Sequence, residues 1–196
     1  LYKKVIVVCA EKMSSMVNYE DRATCPLFGD GAAAVLMEPT EEPVGFVDGV
    51  FHVDGSGLEH LVYKAGGSAH PTTHETVDAK ENFLYQEGRA VYKSAVMDMF
   101  NSSKEVMERN NLKIEDVKWF VPHQANLRII EAVGSRLGLS EEQVLVNIQK
   151  VGNTSAASIP ICLDHNKGKL KKGDKIVLTA FGAGFTWGAS YLIWGM

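Results

Sequence analysis

The sequence of 196 residues contains no long apolar run, and no stretch approaches the roughly 20 apolar residues that a membrane-spanning helix needs. Its first residues, LYKKVIVVCAEK, lack a small-residue cleavage site after the short apolar core, which excludes a typical secretory signal. Basic residues are not in excess, because the formal net charge is -4 and the cations are scattered along the chain. These shortages predict a protein that uses neither a membrane nor a nucleic acid as its partner.

Cysteine is also scarce. The three cysteines, Cys9, Cys25 and Cys162, form no C-x-x-C pair, and an odd number in a short chain argues against a disulfide framework. A protein without structural disulfides is typical of a reducing compartment. We therefore predict a cytoplasmic location.

No linker rich in Ser, Gly or Pro divides the chain, and no segment repeats at a fixed short period. With 45% hydrophobic residues, the chain is long enough to bury a sizeable core. The simplest interpretation is one compact domain over residues 1–196. The sequence starts at Leu1 and enters an apolar strand almost at once, which is equally compatible with a fragment and with removal of an initiator methionine.

Apolar periodicity predicts alternating strands and helices. VIVVCA is typical of a strand buried on both faces, LFGDGAAAVLMEP of a glycine turn that leads into a second strand, and VGFVDGVFHVDGS of a third. VKWFVP and VLVNI are short extended segments, and KIVLTAFGAG with TWGASYLIWG predicts a hairpin on a glycine-rich turn. The main sheet is expected to be mixed, with five strands drawn from these segments.

Three segments show the spacing of helices. Apolar residues recur at helical intervals from Gly88 to about Asn111. A second helix has Asn126 as a possible cap and Gly138 at its end, and a third follows GNTSAAS to about His165. Because strands and helices interleave, the fold class is α/β, with the mixed sheet covered by helices.

Residues 55–87 are rich in glycine and show little periodicity, so we predict a long irregular segment that is functional or mobile. Four histidines lie in or beside it, but they lack the short paired spacing of zinc ligands, and we predict no metal site there. These histidines are His52, His60, His70 and His74.

Two polar residues follow apolar segments where a sheet gathers ligand-binding groups. His123, in VPHQANLR, comes directly after a predicted strand, and Asn153, in VGNTSAAS, precedes a run of small residues. Taken singly, His123 is more simply interpreted as a half-buried histidine bonded to a backbone carbonyl, and Asn153 as a helix cap. The residues alone leave both alternatives open.

A combination of motifs is more specific than either residue. WFVPHQANLRI, GNTSAASIP and AFGAGFTWGA, in that order, closely resemble the C-terminal half of β-ketoacyl-acyl carrier protein synthase III, a condensing enzyme of the thiolase fold. The resemblance extends to LFGDGAAAVL and so covers nearly the whole chain. Chalcone-synthase-like enzymes share the histidine and asparagine but usually have a different glycine-rich ending. They are the weaker match.

The resemblance implies a decarboxylating Claisen condensation of an acyl-coenzyme A primer with malonyl-acyl carrier protein. His123 and Asn153 are expected to donate hydrogen bonds to the enolate oxygen, and the backbone N–H of Ala183 to serve a separate oxyanion hole. Phe181 would keep the site apolar. Coenzyme A is expected as a thioester substrate, and no permanently bound cofactor is expected.

The cysteine nucleophile of this family lies at the start of a buried helix in the N-terminal half. Cys9 falls in a predicted strand, Cys25 precedes Pro26 in a loop, and Cys162 lies in a predicted helix, so all three are expected to be small hydrophobic fillers. We therefore expect the chain to be the C-terminal half of a longer polypeptide or one part of a split enzyme. A non-catalytic half that binds acyl carrier protein or a cysteine-bearing partner is the alternative function.

The same resemblance implies contacts with the substrates. Arg22 would lie near the adenine and phosphates of coenzyme A, Gly88 and Asn126 near the pantetheine arm, and Tyr92 along the tunnel. Acyl carrier protein is acidic and needs cations near the tunnel mouth. The matching cations are Lys93, Arg128 and Arg136. A homodimer is expected.

Overall fold

The computed structural model describes residues 2–196, and its largest sheet has four strands in the order β3-β8-β7-β6. β6 is parallel to β7, whereas β3, β8 and β7 are antiparallel neighbours. The sheet is therefore mixed, as predicted, and β7 and β8 form the predicted hairpin. Its strands are β3 Gly45–Val53, β6 Trp119–Pro122, β7 Lys175–Gly182 and β8 Thr186–Ile193.

The largest sheet has four strands and not the predicted five, and the segment VLVNI, predicted to be extended, does not form a ladder. It contributes a single parallel bridge between Val144 and Phe120, in which the Leu145 N–H donates to the Phe120 carbonyl at 2.9 Å. The count of five strands is thus wrong by one. The segment leaves the sheet because the backbone N–H groups of Asn147 and Ile148 turn away from β6 and bond to the side chain of Gln124.

A separate antiparallel ribbon consists of β1 Val5–Glu11 and β2 Gly31–Met37. The prediction that β1 is buried on both faces is wrong for the described residues, because Val7 is 43% exposed and its neighbour Val8 is 65% exposed. Neighbouring residues of a strand point to opposite faces, so both faces are open. The apolar composition of a strand predicts the strand itself, but it does not show whether other layers cover its faces.

The helices cover the four-stranded sheet on both faces. The helices are α1 His74–Asp78, α2 Gly88–Arg109, α3 Leu127–Leu137, α4 Ile148–Val151 and α5 Ser158–His165. Phe120 packs in the cluster that contains α2 and α3 residues, whereas its neighbour Val121 packs in the cluster that contains Cys162 of α5. This alternation follows from the two-residue period of strand β6 and gives the sheet an apolar layer on each side.

The helix ends agree closely with the signals in the sequence. α2 spans Gly88–Arg109, against a predicted end at about Asn111. Asn126 caps α3, since its Oδ1 accepts from the Arg128 N–H at 2.9 Å, and Gly138 ends the helix with a φ of 79°. That φ lies in the left-handed region, where glycine carries no steric penalty.

Residues 55–87 are irregular but ordered by short elements. They contain a 3-10 helix at Gly55–His60 and two-residue strands β4 Leu61–Val62 and β5 Tyr85–Gln86, besides α1. Three of the nearby histidines pair with glutamates: His52 with Glu105 at 2.8 Å, His60 with Glu87 at 2.6 Å and His70 with Glu81 at 3.3 Å. Three of the four histidines considered for a metal site are thus engaged in separate pairs.

None of the helices within residues 2–196 combines the length and the apolar character that a membrane crossing requires.

Candidate active site

His123 lies in the loop directly after β6, at the carboxyl end of the parallel strand pair. Its backbone N–H donates to the Thr179 carbonyl of β7 at 2.7 Å, which continues the parallel pairing by one residue. The strand therefore fixes the backbone at His123, and the loop to α3 begins immediately afterwards. Strand ends of this kind are where α/β sheets commonly hold ligand-binding groups.

The imidazole of His123 is neutral at physiological pH. Burial lowers its pKa from 6.5 to about 4, because desolvation disfavours the charged ring. Its Nδ1 lies 2.6 Å from the hydroxyl oxygen of Ser158, the first residue of α5. The half-buried histidine that the sequence allowed is thus present, but its ring partner is a serine hydroxyl.

Backbone pairing with residues 27–29 fixes Asn153. Its N–H donates to the Leu27 carbonyl at 2.8 Å, and its carbonyl accepts from the Gly29 N–H at 3.0 Å. A Cβ at Gly29 would lie 2.1 Å from the Val151 carbonyl oxygen, so only glycine permits this approach. The GDG sequence therefore allows close contact between two backbones, whereas the sequence suggested only a turn.

The side-chain amide of Asn153 has a defined orientation. Its Oδ1 accepts a hydrogen bond from the Ser155 N–H at 2.9 Å, so the bonded atom is the oxygen. This contact spans two residues and is an Asx turn just before the 3-10 turn Ser155–Ala157, whose N-cap position is occupied by Thr154, so Asn153 is not the cap that the sequence allowed. The Nδ2 group remains as a donor on the other side of the amide.

His123 and Asn153 line the same cavity, which has a volume of about 670 Å³. His123 also borders a second depression of about 650 Å³, whereas Asn153 does not. The first cavity also brings together most of the other candidates that the sequence indicated. These are Gly88, Tyr92, Asn126, Arg128, Phe181 and Ala183.

Three candidates lie outside the cavity lining. Arg22 is exposed beside the lining residues Ala23 and Thr24, and Lys93 is exposed on α2. Arg136 is exposed on α3, where its guanidinium contacts the sulfur of Met97. Of the four cations that the sequence indicated, Arg128 is thus the one that lines the cavity.

The turn between β7 and β8 closes one side of the cavity. Phe181 is buried, and its ring packs against Phe185 with centroids 4.8 Å apart at an interplanar angle of 50°. Ala183 is exposed at the tip of the turn, where its carbonyl accepts from the Thr186 hydroxyl at 3.0 Å. Gly184, with a φ of 138°, adopts a conformation that side chains rarely adopt, which explains the glycine in this turn.

The cysteines occupy positions unlike that of a reactive thiolate. Cys162 is fully buried in the apolar cluster under α5, and desolvation raises the pKa of its thiol to about 12. Cys9 lies in β1 and Cys25 in the turn after Thr24, and both are partly buried. Cys162 is thus a packing residue, as its helical context suggested.

Sequence reasoning missed several residues that hold the site together. Ser158 and Ser155 bond to His123 and Asn153, and Gln124 cross-links the loop after β6 to the segment after residue 144. Ser155 and Ser158 lie inside the quoted motif GNTSAAS, where their small size suggested only close packing. The available signal was the position of Ser155 two residues after Asn153, since an asparagine side chain commonly bonds to the backbone N–H two residues on.

Two family models match the chain. The model "3-Oxoacyl-[acyl-carrier-protein (ACP)] synthase III C terminal" matches residues 107–194, and "3-Oxoacyl-[acyl-carrier-protein (ACP)] synthase III" matches residues 1–55. The Beta-ketoacyl-[acyl-carrier-protein] synthase III of Porphyromonas gingivalis is 60% identical over 193 residues, covering 98% of this chain. The chain belongs to the 3-oxoacyl-[acyl-carrier-protein] synthase III family.

Solved structures of synthase III proteins share the fold. The 3-oxoacyl-[acyl-carrier-protein] synthase III of Aquifex aeolicus superposes with a TM-score of 0.86 at 42% identity, over 98% of this chain and 58% of that one. The Thermus thermophilus synthase III gives a TM-score of 0.88 at 41% identity, over 98% and 60%. The fold is therefore thiolase-like, as the motifs implied.

This chain spans 58% of the length of the Porphyromonas gingivalis synthase III. The C-terminal family model matches the part that carries His123, Asn153 and the β7–β8 turn. The resemblance to the C-terminal half of a synthase III, which the motifs suggested, is confirmed at the level of the family.

Proposed function

We propose that the polypeptide containing this chain condenses an acyl-coenzyme A primer with malonyl-acyl carrier protein and so starts fatty-acid synthesis. The observation that carries the proposal is the meeting of His123 and Asn153, thirty residues apart in sequence, at one cavity. Each has one polar atom bound to the protein, so each retains a nitrogen for a substrate oxygen.

The reaction needs two neutral donors at one oxygen. When the malonyl thioester loses carbon dioxide, the electron pair of the broken C–C bond moves into an enolate, and negative charge develops on the thioester oxygen. His123 and Asn153 stabilise that oxygen without adding net charge to the site. The carbanion then attacks the acyl-cysteine thioester, and its C–S bond breaks to release the cysteine thiolate.

The acyl-transfer step uses different groups. In our proposal the Ala183 N–H donates to the tetrahedral oxyanion, which suits an exposed residue at the tip of a tight turn. Phe181 excludes water beside the reacting carbon, a role consistent with its buried ring. The nucleophile is a cysteine other than Cys162, whose raised pKa leaves it as a thiol.

Substrate contacts follow the cavity outward. Gly88, Tyr92 and Asn126 line it and are proposed to contact the pantetheine arm of both thioesters. Arg22 is proposed to bind the phosphates of coenzyme A. The cations proposed to dock the acidic acyl carrier protein are Lys93, Arg128 and Arg136. We place the active protein in the cytoplasm as a homodimer, with coenzyme A thioesters as substrates and no resident cofactor.

The test is release of carbon dioxide from malonyl-acyl carrier protein by the whole encoded polypeptide. His123→Ala should lower the rate by about 100-fold or more, because removal of one oxyanion donor typically costs that much. His70→Ala is the matched control, because His70 pairs with Glu81 outside the cavity lining. Unchanged decarboxylation in His123→Ala would exclude the proposed role.

Binding without catalysis is the second candidate function, and the buried, protonated thiol of Cys162 favours it over catalysis by this chain alone. The chain would then hold acyl carrier protein or a partner that carries the reactive cysteine. Mass spectrometry after incubation with acetyl-coenzyme A distinguishes the two functions. A catalytic polypeptide gains an acetyl group on cysteine, and a binding module gains none.

A further inference from the structure

The hydroxyl of Ser158 has two neighbours in a position closed to water. Ser158 is 0% exposed, and its Oγ lies 2.6 Å from His123 Nδ1 and 3.3 Å from the Gln124 backbone nitrogen. The backbone N–H of Gln124 can only donate, so it occupies one lone pair of the serine oxygen. The proton of the hydroxyl must then go to another acceptor.

The acceptor available among residues 2–196 is His123 Nδ1. If Nδ1 carried the proton instead, Ser158 Oγ would accept two N–H groups, and its own buried O–H would have no partner. Leaving a buried donor unsatisfied is more costly than the gain from a typical hydrogen bond. With Ser158 as donor, all three groups are satisfied and Nδ1 is unprotonated.

We propose that Ser158 is a positioning residue that holds His123 in the tautomer with its proton on Nε2. The inference rests on the proposed function, in which Nε2–H donates to the enolate oxygen. The neutral state of the ring, which burial favours, is required as well. A ring protonated on Nδ1 would present a lone pair to the enolate and would repel it.

Gln124 keeps this arrangement in place. Its fully buried amide uses Nε2 to donate to the Pro122 carbonyl at 2.7 Å and the Leu145 carbonyl at 3.3 Å. Its Oε1 accepts from the backbone nitrogens of Asn147 at 2.9 Å and Ile148 at 3.2 Å. The Gln124 N–H that fixes the serine oxygen therefore belongs to a residue held at both ends of its side chain.

The tautomer can be measured directly in the whole encoded polypeptide labelled with ¹⁵N-histidine. Protonated and unprotonated ring nitrogens have separate ¹⁵N shifts, and loss of signals in His123→Ala assigns the ring. We expect the proton on Nε2 at pH 7. A proton on Nδ1 in the unsubstituted protein overturns the inference, whether or not any Ser158 variant folds.

Substitution of Ser158 tests the consequence for the reaction. Ser158→Ala should lower kcat for decarboxylation of malonyl-acyl carrier protein by about 10- to 1,000-fold, with KM changed less than about twofold, because a donor is lost only in the transition state. Ser158→Cys introduces a weaker donor of similar size, so its kcat should lie between those of Ser158→Ala and the unsubstituted protein. Ser103→Ala is the control, since Ser103 is also 0% exposed but donates to the Met99 carbonyl.

The outcomes separate this inference from the proposed function. If His123→Ala abolishes decarboxylation while Ser158→Ala matches Ser103→Ala in rate and leaves the tautomer unchanged, the role of Ser158 is refuted and the function stands. If His123→Ala has no effect on decarboxylation, the function fails, and the ¹⁵N spectrum still decides which tautomer the serine imposes.

Discussion

Acidification should destabilise the protein through His123 in a defined pH window. Burial lowers the pKa of this ring from 6.5 to about 4. Between these values the unfolded chain binds a proton that the folded protein does not, so falling pH stabilises the unfolded state relative to the folded one. The contribution of His123 to stability is complete above pH 6.5 and is lost as the pH falls toward 4.

The size of this effect follows from the shift. One pKa unit corresponds to about 1.36 kcal/mol, and integrating the two titration curves from pH 7 to pH 5 gives a loss of about 2 kcal/mol for a fully desolvated ring. The edge of the ring that reaches the cavity is solvated, which reduces the contribution. We therefore expect a loss of about 1 to 2 kcal/mol at pH 5.

The assay is urea unfolding at pH 7 and pH 5, with His123→Gln as the reference. Glutamine places a polar amide where the imidazole stands, and this side chain does not titrate. We subtract the free energy of unfolding of the variant from that of the unsubstituted protein. This difference should decrease by about 1 to 2 kcal/mol from pH 7 to pH 5. Every other titrating group cancels in this difference.

A difference that stays constant between pH 7 and pH 5 would refute the reasoning. Carboxylates do not obscure the window, because both proteins carry them and their titration cancels in the difference; this holds for Asp98, whose pKa is raised by burial. Hydrogen bonds lower the pKa values of several other aspartates. The main examples are Asp21, Asp30, Asp54 and Asp116.

Further predictions concern catalysis, packing and docking. Asn153→Asp replaces the Nδ2 donor with an acidic oxygen, so kcat for malonyl-acyl carrier protein decarboxylation should fall by about 100- to 1,000-fold in steady-state assays; a smaller loss in a folded variant contradicts the donor role. Gly29→Ala should lower the free energy of unfolding, measured in urea, by about 1–3 kcal/mol, because its Cβ would lie 2.1 Å from the Val151 carbonyl oxygen. Gly168→Ala is the control and should not lower it, since no atom lies within 4 Å of the Cβ that it would add. Arg128→Glu should slow association of acyl carrier protein and weaken its salt dependence in stopped-flow measurements. An unchanged rate at low salt would remove Arg128 from the docking surface.

Helix α3 shows what local signals can predict. Asn126 stops the chain from entering the helix earlier, since its side chain occupies the Arg128 N–H, and Gly138 ends the helix in a left-handed conformation. Both effects involve residues within one turn of the helix end. A sequence read locally therefore places both ends of α3 correctly.

The ribbon β1–β2 and the segment VLVNI show where local signals fail. The β-branched run of β1 predicts a strand, which is correct, but burial depends on layers that the run does not encode. VLVNI likewise has strand character, yet Leu145 makes a single backbone bond to β6 before the next residues turn away. Both outcomes depend on residues far away in sequence, which a local pattern does not report.

The candidate site was predictable as a set of residues, because the motifs around His123 and Asn153 are specific, but its hydrogen bonds were not. A tautomer depends on which atom lies behind the ring, and that atom belongs to Ser158, thirty-five residues away. No spacing rule connects the two positions, since the chain passes through α3 and α4 before it reaches Ser158 at the start of α5. Only the packed structure supplies it.

Gln124 explains how residues so far apart in sequence reach one cavity. The loop after β6 and the segment at residues 145–148 have backbone groups that neither strand nor helix satisfies, and one buried amide bonds to four of them. A hydrophobic residue of similar size would leave all four groups buried without partners, at a cost of about 1–3 kcal/mol for each group left unsatisfied. The amide is therefore needed for the segment after residue 144 to lie against the His123 loop, and α4 then carries the chain directly to Asn153. The positions of the two donors thus depend on a residue that lies between them and faces neither substrate nor solvent.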